Sequence, residues 1–126
     1  MRTVLTFDAK TTIFTFSSYD DQENLQGRLQ CIPALCNGRS LGIVPSIEVF
    51  PPYAVFEVAT ALLDSFLSMM SLPIFLQLAA IPTFQLVRID VPSHDQELRA
   101  AIIYHGFEEE GHNGDFLIYE RQLQSL

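Results

Sequence analysis

Residues 47–63 read IEVFPPYAVFEVATALL, and the fold turns on how they divide. Ile47 to Phe50 is a short apolar run that reads as a strand. Pro51 and Pro52 end it, because proline has no N–H to give to a ladder. Val55, Val58, Ala59, Leu62, Leu63 and Phe66 then recur at three- and four-residue spacing, which predicts a helix from about Tyr53 to Met70. A strand that turns tightly into a helix is a natural ligand site, since the helix N-terminus offers free N–H groups and positive partial charge. The turn holds no glycine and no cation, and Glu57 falls inside it.

Working outward, Thr3–Phe7 and Thr12–Phe16 read as two strands, with Asp8-Ala9-Lys10 as the hairpin connection. Asp20 or Asp21 reads as the cap of a short helix through about Gln30, with Leu25 and Leu29 at i, i+4 and Gly27 weakening it. Pro33 ends that segment, Asn37-Gly38 marks a turn, and Leu41–Phe50 reads as a strand broken or bent at Pro45. Beyond the central helix, Leu72–Ala80 fits either a short strand or a helical extension. Phe84–Val91, FQLVRIDV, reads as a buried strand. Ser93-His94-Asp95-Gln96 fits an S-x-x-Q capping box that starts a helix with Leu98, Ala101, Ile102 and His105 inward and Gly106 as its left-handed stop. Phe107–Asn113 reads as an acidic loop and Asp115–Gln122 as a last strand. The element order predicts a single mixed α/β (α+β) domain over residues 1–126, with about five or six strands flanked by helices. The unit around the central helix should join parallel strands.

Composition narrows the function. The 126 residues are 48% hydrophobic, ample for a core, and carry a net charge of −8. Seven cations face fifteen carboxylates with no basic cluster, which argues against nucleic acid or anionic membrane as a partner. The first ten residues, MRTVLTFDAK, hold no long apolar run of a signal peptide, so a cytoplasmic protein with reduced thiols is expected. Cys31 and Cys36 stand at a C-x4-C spacing that suits neither zinc nor a redox pair. Ser65–Val87 is free of charge, but Pro73, Pro82, Gln77 and Gln85 interrupt it and no cations flank it, so a buried helix end and strand are expected rather than a membrane span. His105 and His112 bracket Glu108–Glu110, yet consecutive glutamates read as a solvated loop, not a metal site. His94 and Asp95 are explained by the helix cap.

From Ile47 to Leu123 the order of pieces resembles the GNAT superfamily of N-acetyltransferases. Val49, Pro51, Tyr53, Ala59, Thr60, Leu62 and Leu63 fall in register with its strand–loop–helix, FQLVRIDV with its next strand, ELRAAIIYHGF with its next helix and Gly-Phe ending, and DFLIYERQL with its last strand. The resemblance implies acetyl-CoA as cofactor, its pyrophosphate cradled by Val49, Phe50 and Ala54 through Ala59, and an amine as acceptor. It implies Glu48 as the base and Tyr104 as the acid, although Tyr104 lies closer to the Gly-Phe than the family's tyrosine does. Ala54 stands where the family has Arg or Gln, and Glu57 where it has its first signature glycine. The first half is short for the family, whose early helices help build the acceptor site. Two readings follow: an acyl-CoA-dependent N-acetyltransferase or cofactor-binding relative with an impaired pyrophosphate loop, and a non-catalytic GNAT-fold protein that acts as an acidic protein-binding or regulatory module; an exposed edge strand or apolar patch would also suggest a homodimer.

Overall fold

The structure is a computed structural model that describes residues 1–72, 80, 81 and 83–123. Eight strands and two helices are described: β1 (Arg2–Asp8), β2 (Ile13–Tyr19), β3 (Leu25–Cys36), β4 (Arg39–Val44), β5 (Ile47–Val49), α1 (Val55–Met70), β6 (Leu86–Pro92), α2 (Gln96–Tyr104), β7 (Glu108–Asn113) and β8 (Phe116–Gln122). They form one mixed sheet in the order β1-β2-β3-β4-β6-β8-β7, with β5 on β3. The α/β class is as expected, and the strand number exceeds the expected five or six.

Alternation along the strands divides the sheet into two faces. Phe14 and Phe16 of β2, Leu29 and Cys31 of β3, Val44 of β4, Val87, Ile89 and Val91 of β6 and Tyr119 of β8 are buried on one face. Helix α1 brings Val58, Ala59, Leu62, Leu63, Phe66 and Met70 to that core, and α2 brings Leu98, Ala101 and Ile102. The other face carries residues such as Arg28, Arg88, Asp90 and Glu120, which stay partly exposed. Strands β4 and β6, on either side of α1 in sequence, run parallel, from Leu41↔Leu86 to Val44↔Ile89, as expected.

Four expectations are corrected. Residues Asp20–Gln30 are not a helix: the Asp20 carboxylate accepts the N–H groups of Gln22 and Asn24 at 2.9 Å, closing a turn, and Leu25 onward enters β3. An i, i+4 pair of leucines satisfies a period of 2 as well as one of 3.6, so Leu25 and Leu29 did not discriminate. Pro33 does not end the segment but lies inside β3, opposite Gly42. Its missing N–H is tolerated because the pairing of β2 with β3 has already stopped at Cys31. The acidic loop is an edge strand, β7, where glutamate side chains reach water from both faces. The cap of α2 is Asp95, whose carboxylate accepts the Leu98 N–H at 3.1 Å. Ser93 is instead held in the preceding connection, its N–H on the Asp115 carbonyl at 2.9 Å.

The hairpin β1–β2, the bend at Pro45, the helix through Met70 and the left-handed Gly106, with φ of +85°, are as the sequence implied. Cys31 and Cys36 are free. No described helix is long and apolar enough to cross a membrane. The alternatives for Leu72–Ala80 fall mostly outside the described residues.

Candidate functional site

The site is built by a break in one strand. Strand β4 pairs with β3 through Ile32↔Ile43, and β5 pairs with β3 through Leu29↔Ile47. Between those pairs β3 advances by three residues and its partner by four, so Pro45-Ser46 inserts one extra residue, a bulge. Pro45 has no N–H to give to β3 at the bulge, and the extra residue takes the strand out of register with β6. Pairing of β4 with β6 therefore stops at Val44↔Ile89, while β5 stays on β3 and β6 continues on β8 to Pro92. Among the described residues, β5 has no strand on its β6 side, and Asp90–Pro92 have none on their β5 side. The two strands diverge as a wedge.

At the end of β5 the chain turns through the cis Pro51–Pro52 bond into α1. Ala54, the N-cap, offers no side-chain hydrogen bond. The first intrahelical bond recorded at this end runs from the Val58 N–H to the Ala54 carbonyl at 3.1 Å. The N–H groups of Val55, Phe56 and Glu57 thus lack helical acceptors, as the first turn of any helix leaves them. Glu57 is exposed and is the one acidic residue of that turn. Its carboxylate sits where the helix dipole favours an anion, worth about 0.3–1 kcal/mol at an exposed end.

Two contacts that the sequence reading missed fix this turn. The Tyr53 hydroxyl donates to the Asp20 carboxylate at 2.7 Å, tying the turn to the β2–β3 connection. That bond, with the backbone N–H groups of the same loop, holds the Asp20 carboxyl down at about 2, and the same contact pushes the Tyr53 hydroxyl up. Gly27 of β3 is the second. A Cβ there would lie 2.5 Å from the Glu48 carbonyl oxygen and 2.9 Å from a Val58 methyl, so only glycine lets β5 and α1 close on β3. A glycine inside an apolar strand was the available signal for such close approach.

The candidate catalytic residues are not brought together. Glu48 lies opposite Arg28 on β3, on the sheet face away from the helices, and its carboxylate is 3.3 Å from the Arg28 guanidinium. That guanidinium also lies over the Phe50 ring, 5.6 Å from its centre. Tyr104 is on the helix side, 72% exposed in the last turn of α2, with its ring edge-on to Phe56 at 6.0 Å. The residues expected to cradle a cofactor, Val49, Phe50, Ala54, Val55, Phe56, Glu57, Val58 and Ala59, lie together where β5 turns into α1, at the mouth of the wedge. Val58 and Ala59 are buried there, and Phe56 is 37% exposed. His105 is engaged by its own fold: its ring nitrogens lie 2.7 Å from the Ala101 carbonyl and 2.8 Å from the Asp64 carboxylate, joining α2 to α1. Among the described residues no group of His, Cys, Asp and Glu is arranged to hold a metal.

No protein-family model matches the sequence, and a search of curated proteins finds no match. Solved structures do match. The spermidine N-acetyltransferase of Vibrio cholerae, in complex with CoA and spermine, is 18% identical with a TM-score of 0.65, covering 90% of this chain and 68% of its own. An acetyltransferase of the GNAT family from Streptococcus pneumoniae is 15% identical with a TM-score of 0.67, covering 89% and 67%. The PaiA N-acetyltransferase of Thermoplasma acidophilum, in complex with coenzyme A, is 16% identical with a TM-score of 0.63, covering 87% and 60%. This chain thus spans about two thirds of the length of the structures it matches. On sheet order, wedge and helix placement together with these likenesses, the chain has the fold of the GNAT superfamily.

Proposed function

We propose that the chain binds an acyl-CoA in the wedge and serves as an N-acetyltransferase toward an amine. The observation that carries this reading is the divergence of β5 from β6 directly beneath an uncapped helix N-terminus. The backbone fits the cofactor: three N–H groups at Val55–Glu57 suit a pyrophosphate, and the unpaired edges of β5 and β6 suit an amide-bearing arm. Glu57 does not help, since its carboxylate competes for the same N–H groups and repels the phosphates. At close range that repulsion is on the order of one to a few kcal/mol, tenfold or more in affinity. The bound acyl-CoA would supply a thioester carbonyl open to attack by an amine. Phosphates held on the helix side place the acyl end toward the opposite sheet face, where Glu48 sits to take a proton from the amine, with Arg28 and Phe50 fixing its strand. Tyr104 acts on the loop from outside, by packing on Phe56, rather than on the reacting atoms.

A second reading is favoured by the placement of Glu48 and Tyr104 on opposite sides of the sheet and by Glu57 in the phosphate position: a GNAT-fold protein that binds another protein without turnover. Thermal unfolding with acetyl-CoA separates the two. Ligand at a hundredfold its dissociation constant stabilises a fold by about 2.7 kcal/mol, a shift of several degrees at this size. Glu57→Gln should slightly lower the melting temperature of the free protein, through loss of the dipole partner, and enlarge the shift with acetyl-CoA. No shift in either the parent or the variant would leave the protein-binding reading standing.

A further inference from the structure

The sheet has two edges, and they are built differently. β7 shows the usual guards: three glutamates in succession and a register shift between Glu109 and Gly111. β1 has neither. Its seven residues, RTVLTFD, pair with β2 without interruption from Arg2↔Tyr19 to Asp8↔Ile13, and its outer edge has no strand among the described residues. Proline, an internal charge and a bulge are all missing from it. Residues 1–19 hold Arg2, Lys10 and a single carboxylate, Asp8, in a chain of net charge −8.

Beside β1 a cleft of about 420 Å³ opens on the helix side, lined by Thr3, Leu5 and Phe16 and, from α1, by Asp64 and Met69 among others. Phe7, on the same side of β1, is 37% exposed. An added strand would place its own inward side chains along this cleft.

We infer that β1 is the surface through which two copies of this chain associate, by antiparallel pairing of the two β1 strands about a two-fold axis through Leu5. The strand is self-complementary in that register. Arg2 faces Asp8 of the partner subunit, and the reverse pair repeats at the other end. Thr3 faces Phe7 of the partner subunit, Val4 faces Thr6 of the partner subunit, and the two leucines meet at the axis. This is the one register that pairs all seven residues, and it sets opposite charges directly across from each other. It joins like parity to like parity, so both pairs of helices lie on the same face of one continuous sheet. Leu5 and Phe7 of each copy then run along the cleft of the other. Arg2 already meets Glu23 of its own chain, and its guanidinium has five N–H donors, enough to serve both carboxylates.

Sedimentation of the full chain over a range of concentrations tests the pairing. The parent should reach twice the mass of one chain as concentration rises. Arg2→Asp and Asp8→Arg, each of which sets like charges opposite each other, should both remain at the mass of one chain. The double variant R2D/D8R should recover the dimer, although it does not restore the contact with Glu23. A parent that keeps the single-chain mass, or a double variant no better than either single one, would overturn the proposal. A covalent test needs no charge change. In a C36S background, L5C should form a disulfide-linked dimer under mild oxidation, because the two residues meet at the axis, and V4C should not. Equal cross-linking of both would also overturn it.

Discussion

At the scale of single residues the site depends on what is absent as much as on what is present. Gly27 has no side chain, and that absence lets the Glu48 carbonyl and Val58 come within Cβ contact of β3. Gly27→Ala should therefore force β5 and α1 away from the sheet, at about 1–3 kcal/mol by analogy with overpacked cores. Chemical denaturation would show this as a lower midpoint with unchanged slope. A midpoint equal to that of the parent would mean that the approach is not tight. Asp20 acts through one bond. Its folded-state carboxyl sits at about 2, below its ordinary value of 3.8, chiefly because the Tyr53 hydroxyl donates to it. A depressed carboxylate contributes stability that is complete above its unfolded value and disappears as pH falls through the folded one. The loss should thus fall between about pH 4 and pH 2. Asp20→Asn should remove that part of the acid limb when melting temperature is followed against pH. An unchanged acid limb would place the tie between the two loops elsewhere.

At the scale of elements, α2 is held by contacts at both ends. Asp95 caps its first turn, and the Arg121 guanidinium donates to the His105 carbonyl at 2.8 Å at its end. Between them Arg99 donates to the Tyr119 hydroxyl at 3.2 Å, fastening the helix to β8. Asp95→Ala should cost about 1 kcal/mol, the usual value of a lost N-cap. Ser93→Ala should cost much less, because Ser93 contributes backbone groups. Paired denaturation curves would decide between the two candidate caps. The elements that the sequence made legible were those with one apolar period and a clean stop: α1, β6, β8 and the end of α2 at Gly106. The wedge was half legible, since Pro45 announced a break but not that the strand beyond it would stay on β3 and part from β6. Asp20–Gln30 misled because its leucines fit two periods, and β7 because an edge strand of glutamates has no apolar alternation to read. Tyr53 and Asp20 are 33 residues apart, and no local pattern announces such a pair.

At the scale of the whole molecule the outstanding quantity is charge. An acyl-CoA is a polyanion, and a chain of net charge −8 repels it before any contact is made. Among the described residues the proposed cofactor loop, 49–59, has no cation of its own, and Arg28 of β3 already faces Glu48. On the proposed reading, binding would come from short-range bonds to backbone N–H groups and from the arm between the strands, which salt weakens less than it screens the longer-range opposing field of the carboxylates. The Debye length falls from about 30 Å at 0.01 M to about 8 Å at 0.15 M, so most of that long-range repulsion should vanish over this range. Affinity for acetyl-CoA should therefore rise with added sodium chloride, the reverse of what a site built on Arg or Lys shows. Glu57→Gln should flatten the dependence, because it removes the carboxylate closest to the phosphates and leaves only the distant ones. Calorimetric titration at three salt concentrations checks both parts. An affinity that falls with salt would mean that cations recruited from elsewhere in the chain hold the phosphates, and that the uncapped N-terminus of α1 is not their main anchor.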